Sequence, residues 1–100
     1  TEVYYADSNN GNAYGTTSEK LATNILNRML YYMGSTNRGV KTAEHAVTKR
    51  CKMPAALTEV GFITNPTEVY NMTTDEYQYK AAQGIAEGIM ITLKDINVPQ

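Results

Sequence analysis

Met53-Pro54-Ala55-Ala56-Leu57-Thr58-Glu59-Val60-Gly61-Phe62-Ile63-Thr64-Asn65-Pro66-Thr67-Glu68 places a strand directly before a helix start. From Ala55 to Phe62, Leu57, Glu59 and Gly61 share one face, and Ala56, Thr58, Val60 and Phe62 share the other, the period-two alternation of a strand. Both faces are mostly apolar, which predicts a central, buried strand. Asn65, Pro66 and Glu68 then supply an N-cap, a proline at the first helical position and a carboxylate able to reach back, predicting a short helix that ends near Met72. A carboxylate among apolar neighbours needs a reason. Burial tunes carboxylates, and open α/β sheets hold ligands beyond the C-terminal ends of their strands, so Glu59 is the candidate acid or base. Gly61 is expected to leave space on the same face. The spacing alone also accommodates a structural carboxylate paired with a basic side chain or with backbone amides.

Thr1-Glu2-Val3-Tyr4-Tyr5 is β-prone and has no capping or linker residues before it, which predicts a chain beginning inside a domain. Asp7 to Gly15 is rich in Asn, Gly and Ser and predicts a mobile surface loop. Thr16 and Glu19 form a T-x-x-E capping box. Leu21, Ile25, Met29 and Tyr32, with Ala22, Leu26 and Met33, mark the apolar face of a helix that ends at Gly34. Ala46 to Lys49 predicts a short strand beside the main one. Thr73 and Glu76 form a second capping box, after which Tyr77, Ala81, Ile85, Ile89, Leu93 and Ile96 keep helical spacing until Pro99. The whole is an α/β fold, a layered sheet with helices packed on it.

The bulk properties narrow the function classes. At 100 residues the chain has room for one small domain, and 42% hydrophobic with 19% charged residues is the composition of a folding protein. A net charge of -1 gives no general attraction for nucleic acid or anionic membranes. No apolar run approaches the ~18 residues of a membrane span. Arg38, Lys41, Lys49, Arg50 and Lys52 nevertheless concentrate five of the nine basic residues, as a solvated rim or as a site for an anionic substrate. Cys51 is the single cysteine, so no intrachain disulfide forms; without a histidine placed to activate it, it reads as an incidental thiol.

Arg38-Gly39-Val40-Lys41, followed by Met53-Pro54-Ala55, Leu57, Glu59, Gly61-Phe62, Asn65 and Glu68, resembles the zinc-dependent N-acetylmuramoyl-L-alanine amidases known as amidase type 3. The most specific part is M-P-A-x-L-x-E-x-G-F-x-x-N, and the likeness runs the whole chain. Thr1 to Tyr5 looks like the strand after that family's second zinc histidine, and Tyr77 to Ile89 is similar to its closing helix. The resemblance implies that residues 1–100 are the C-terminal part of a single amidase type 3 catalytic domain. It implies cleavage of the amide between the lactyl group of N-acetylmuramic acid and L-alanine in peptidoglycan. It further implies a zinc site of two histidines and a glutamate upstream of this segment, with Glu59 acting on the metal-bound water.

The chain itself offers one histidine, His45, and one cysteine, Cys51, at a spacing that matches no zinc pattern, so no metal ligand is assigned here. His45 falls where the family commonly carries phenylalanine and reads as a substituted packing residue. Lys49 stands where many relatives carry arginine; it keeps the charge but lacks the planar fork, and is the candidate substrate contact. The setting implied is extracellular or in the bacterial cell wall, or a phage-encoded lysin, with peptidoglycan as partner. A degenerate module that binds peptidoglycan or a protein without cutting it is the alternative, and a zinc hydrolase of related fold acting outside the wall is a third. A truncated sheet would also expose an edge and favour self-association.

Overall fold

The computed structural model describes residues 1–11 and 14–96. Strand β1 spans Glu2–Tyr5, helix α1 Ser18–Met33, strand β2 Val40–Thr42, the single turn α2 Ala46–Lys49, strand β3 Leu57–Glu59, helix α3 Pro66–Met72 and helix α4 Asp75–Leu93. The sheet order is β2-β1-β3. β2 runs parallel to β1, with Val3 opposite Val40, and β3 runs antiparallel to it, with Glu2 opposite Glu59 and Tyr4 opposite Leu57. Helix α1 carries the chain from β1 to the parallel β2, the crossover that a parallel pair requires. The fold is therefore α/β, a small sheet with helices packed on it.

The central strand is β1, not the Ala55–Phe62 segment. β3 has only three residues, all half-buried, whereas Val3 is fully enclosed and Tyr5 nearly so. The ladder ends at Glu59 because the chain then turns into the start of α3. Ala46–Lys49 is likewise helical rather than extended. The Thr48 and Lys49 amides both donate to the His45 carbonyl, at 3.1 and 2.9 Å, while the Thr48 carbonyl accepts from the Asn9 side chain at 2.8 Å. These local bonds use the groups a ladder would need, and the place beside β1 belongs to Val40–Thr42.

Val3 and Tyr5 point to the face covered by α1, forming a core with Ala22, Ile25, Leu26 and Met29; burying each large apolar side chain contributes roughly 1.5–3 kcal/mol. The predicted face of α1 is thus the observed one. The helix stops where expected, at Gly34, whose φ of 64° lets its amide donate to the Leu30 carbonyl. Both threonine caps lie one residue later than the capping boxes suggested: Thr17 receives the Lys20 amide, and Thr74 receives the Tyr77 amide. Thr16 is instead buried, its hydroxyl without a partner among the described residues.

Helix α4 lies along α1 and departs most from its expected face. Its buried positions are Ala81, Gly84, Gly88 and Thr92, while Ile89 and Leu93 are 41% and 52% exposed. Two glycines four residues apart bring the helix backbones into contact, and this turns α4 away from the face with the larger side chains. Thr92 seals the crossing by donating to the Gly88 carbonyl at 2.8 Å and accepting from the Asn24 amide at 2.9 Å. Pro99, expected to close this helix, lies outside the described residues.

The predicted mobile loop begins as a single 3-10 turn, Asp7–Asn9, tied down at several points. Ser8 donates to Glu44 through both its amide and its hydroxyl, and the Asn9 side chain also donates to the Met53 carbonyl at 3.0 Å. Residues 12–13 of that loop lie outside the described residues.

Candidate active site

Glu59 ends β3, and its position follows from the ladder. Alternation along β1 sends Val3 and Tyr5 to α1, so Glu2 and Tyr4 face the opposite side, with Lys41 opposite Tyr4 and Glu59 opposite Glu2. Because β3 is antiparallel to β1, Glu59 sits where β1 begins rather than beyond the C-terminal ends of parallel strands. The expected crevice rule therefore does not locate it; the cross-strand pair does.

On this face Glu2 is 2% exposed. It accepts a hydrogen bond from the Tyr4 hydroxyl at 2.7 Å and lies 2.5 Å from the Lys41 ammonium. The Lys41 contact is a close ion pair whose angles fall outside those of a directed hydrogen bond. Lys41, and secondarily the Tyr4 hydroxyl, hold the Glu2 carboxyl below its usual range. The hydrogen bond to Glu2 raises the Tyr4 phenol, with burial and the charges of Glu2 and Glu59 acting in the same direction. Like charges directly opposite on a ladder repel, and Lys41 offsets that repulsion from one side.

Among the described residues no ion pair or hydrogen bond engages the Glu59 carboxylate, although the residue is half-buried. It is therefore neither the partner of a basic side chain nor a cap for backbone amides. Gly61 does not open space beside it: a Cβ there would meet Glu68 Cβ at 3.2 Å and Met72 Sδ at 3.3 Å, so α3 fills that volume. His45 is exposed, with its ring edge-on to Tyr4 at 5.3 Å between centroids, which places an imidazole beside the Glu2–Tyr4 pair rather than in the core. Lys49 is exposed at the end of α2; no contact brings it to Glu59. Cys51 is a half-buried free thiol. Among the described residues, no three His, Cys, Asp or Glu side chains come together as a metal-holding group. An apolar cavity of about 440 Å³, lined by Leu21, Met53, Pro54, Ile89 and Leu93 among others, includes neither Glu59 nor its ladder partners.

Glu2 and Tyr4 are the members of this face that the sequence reading assigned no site, and Lys41, read only as one of a basic group, joins them here. A usable signal was present: in a β-prone run, a glutamate and a tyrosine alternate with Val3 and Tyr5. The Glu2 pairing has a pH consequence. A carboxyl held below its unfolded value contributes stability that is complete above that value, ordinarily 4.5 for glutamate, and is lost as pH falls through the folded value. Glu2→Gln is therefore expected to flatten the decline of the denaturation midpoint as pH falls below 4.5. Equally steep acid limbs for wild type and variant in urea titrations would contradict the pairing.

Compared with known proteins, residues 1–90 match the family model described as N-acetylmuramoyl-L-alanine amidase. The N-acetylmuramoyl-L-alanine amidase LytC of Bacillus subtilis is 39% identical over 88 residues, covering 88% of this chain and 17% of that protein. The endolysin of Bacillus phage SPP1 is 35% identical over 89 residues, covering 88% of this chain and 32% of its own. Among solved structures, an N-acetylmuramoyl-L-alanine amidase from Clostridium difficile 630 superposes with a TM-score of 0.83 at 28% identity, over 93% of this chain and 47% of that one. The chain thus spans about half the length of that structure and less of the two relatives. With a family match over nine-tenths of its length and the same fold in a solved relative, the chain belongs to the N-acetylmuramoyl-L-alanine amidase family.

Proposed function

We propose that this chain is the C-terminal part of the catalytic domain of a peptidoglycan hydrolase, and that Glu59 is its general acid and base. The reaction is hydrolysis of the amide between the lactyl carbonyl of N-acetylmuramic acid and the amine of L-alanine. Glu59 takes a proton from the attacking water as the C–O bond forms, then delivers it to the amine as the C–N bond breaks. The products are a lactyl carboxylate and a stem peptide with a free N-terminus. The observation that carries this reading is a half-buried carboxylate with no ion-pair or hydrogen-bond partner among the described residues, in a chain of this family. A proton-transfer group must be free to change partners, and a positioned one contributes about 10²- to 10⁴-fold.

The zinc that the family resemblance implies is not matched by a donor set among the described residues. Its ligands belong, in this proposal, to the half of the fold this chain does not span. Lys49, exposed at the end of α2, is the proposed contact for an anionic group of the stem peptide. The setting proposed is the cell wall, reached by secretion or by phage lysis; no helix among the described residues is long and apolar enough to cross a membrane.

The test is to incubate the full-length, zinc-supplemented protein with purified peptidoglycan and assay new N-terminal L-alanine and new reducing sugar ends in parallel. Amidase action releases the first and none of the second. Reducing ends without free L-alanine amines, or no product of either kind, would overturn the assignment.

A further inference from the structure

The ladder stops at Glu59, so the backbone just beyond it is not held by strand pairing. Other groups hold it instead. The Val60 carbonyl accepts from the Thr1 hydroxyl at 2.7 Å. The Phe62 amide donates to one oxygen of Glu68 at 3.0 Å, and the other oxygen receives Arg38 Nη1 at 2.6 Å. The Arg38 guanidinium also lies over the Phe62 ring, 4.2 Å from its centroid. Between these anchors, Gly61 sits against the Glu68 Cβ so closely that its own missing Cβ defines the fit. Glu68 thus bonds Phe62 and Arg38 at once, and its Cβ lies 3.2 Å from where a Cβ on Gly61 would stand.

An ordinary capping box does not account for this. In that motif the glutamate at the third helical position reaches the amide of the N-cap residue. Here the Asn65 amide is already engaged by the Phe62 carbonyl at 3.1 Å, and Glu68 reaches past it to Phe62. Asn65 caps in the usual sense only toward Glu68, receiving its amide at 3.1 Å. Glu68 is mostly buried, with a side chain 12% exposed. The Phe62 amide first, then Arg38, hold its carboxyl below the usual range, so it is ionised at neutral pH and its bonds are charge-assisted. Arg38 in turn is fixed through its backbone, donating to the Thr1 carbonyl at 2.9 Å, and leads directly into β2.

We propose that Glu68, braced by Arg38, is a positioning residue for Glu59: it clamps the Gly61–Phe62 backbone and so fixes the carboxylate that ends β3. The inference rests on the acid–base role of Glu59 proposed above. Near-attack geometry is sensitive at this scale, with about 1 Å of misplacement costing about 100-fold in rate. Glu68 itself needs no contact with substrate.

The test measures kcat and KM on a soluble muramyl-peptide substrate for zinc-loaded full-length wild type, Glu68→Gln and Glu68→Ala, with zinc content and melting curves recorded for each. Glutamine keeps an acceptor for the Phe62 amide but loses the charge; alanine loses both. The expected result is a graded fall in kcat, about 10-fold for Glu68→Gln and about 100-fold for Glu68→Ala, with KM within about twofold and zinc bound stoichiometrically. Both variants within about twofold of wild-type kcat would overturn the proposal, as would a loss that merely tracks unfolded or metal-free protein. Should Glu68→Ala fail to fold, Glu68→Gln decides by the same thresholds. An inactive wild type would refute the proposed function instead, and the two failures are thereby distinguished.

Discussion

Glu59→Gln in the full-length, zinc-loaded protein is expected to lower kcat on peptidoglycan by about 10²- to 10⁴-fold, the range spanned by positioned acid–base groups, while leaving folding intact. The second half of that expectation comes from the geometry. Glutamine is nearly isosteric with glutamate, and no ion pair or hydrogen bond among the described residues is lost with the charge. The change also removes a negative charge directly across the ladder from Glu2, so the melting temperature is expected to hold or rise slightly. Catalytic loss with undiminished stability is the pattern of a residue kept for chemistry. Wild-type turnover by Glu59→Gln would remove Glu59 from the mechanism, and a collapse in melting temperature would show that it has a structural partner.

The helix start at Asn65-Pro66, the face of α1 and its stop at Gly34 were legible because each depends on residues close in sequence: a side chain that meets a nearby amide, or an apolar stripe on one turn after another. The glutamate of the E-x-G-F motif stands out in the sequence for a different reason, a resemblance in ordered spacing rather than any local preference, and its role is the proposal tested by Glu59→Gln. Sheet order was not legible. Whether β1 or β3 is central depends on which segments lie beside each strand, and β2 has only Val40, Lys41 and Thr42 to announce it. The Ala46–Lys49 segment misled for a related reason. Its β-branched Val47 and Thr48 favour a strand, but Asn9, distant in sequence, captures the Thr48 carbonyl.

Glu68 shows the same division. Its place in the helix start was evident, but its reach past Asn65 to Phe62, and its pairing with Arg38, depend on tertiary structure. The same holds for the face that carries Glu59, whose members come from three strands. Once the register is known, Glu2, Tyr4, Lys41 and Glu59 fall together by alternation alone. The missing information was the register, not the residue types.

The close approach of α1 and α4 was also missed, although Gly84-Ile85-Ala86-Glu87-Gly88 carries its sequence mark, and it leads to the largest stability effect expected here. In an exposed helix, Gly→Ala stabilises by roughly 0.5–1 kcal/mol. At Gly88 the added Cβ would lie 2.5 Å from Ile25 Cα and 2.7 Å from Ile25 N, and at Gly84 2.5 Å from Met29 Cα. These are backbone atoms, which cannot turn aside as a side-chain end can. Relief requires the helices to separate, loosening Ile25 and Met29 in the core and stretching the Asn24–Thr92 bond. Overpacking of this kind typically costs about 1–3 kcal/mol and occasionally more, which exceeds the propensity gain. Gly88→Ala and Gly84→Ala are each expected to lower the melting temperature by about 5–10 °C, since a net loss of about 1 kcal/mol corresponds to about 4–8 °C in a domain of this size. The double variant is expected to lose less than the sum, because the first methyl already opens the gap the second needs. Gly11→Ala is the control: among the described residues nothing lies within 4 Å of its Cβ position, so its melting temperature should stay near that of wild type. If Gly88→Ala melts with Gly11→Ala, the helices do not cross at the glycines, and the shifted face of α4 needs another cause.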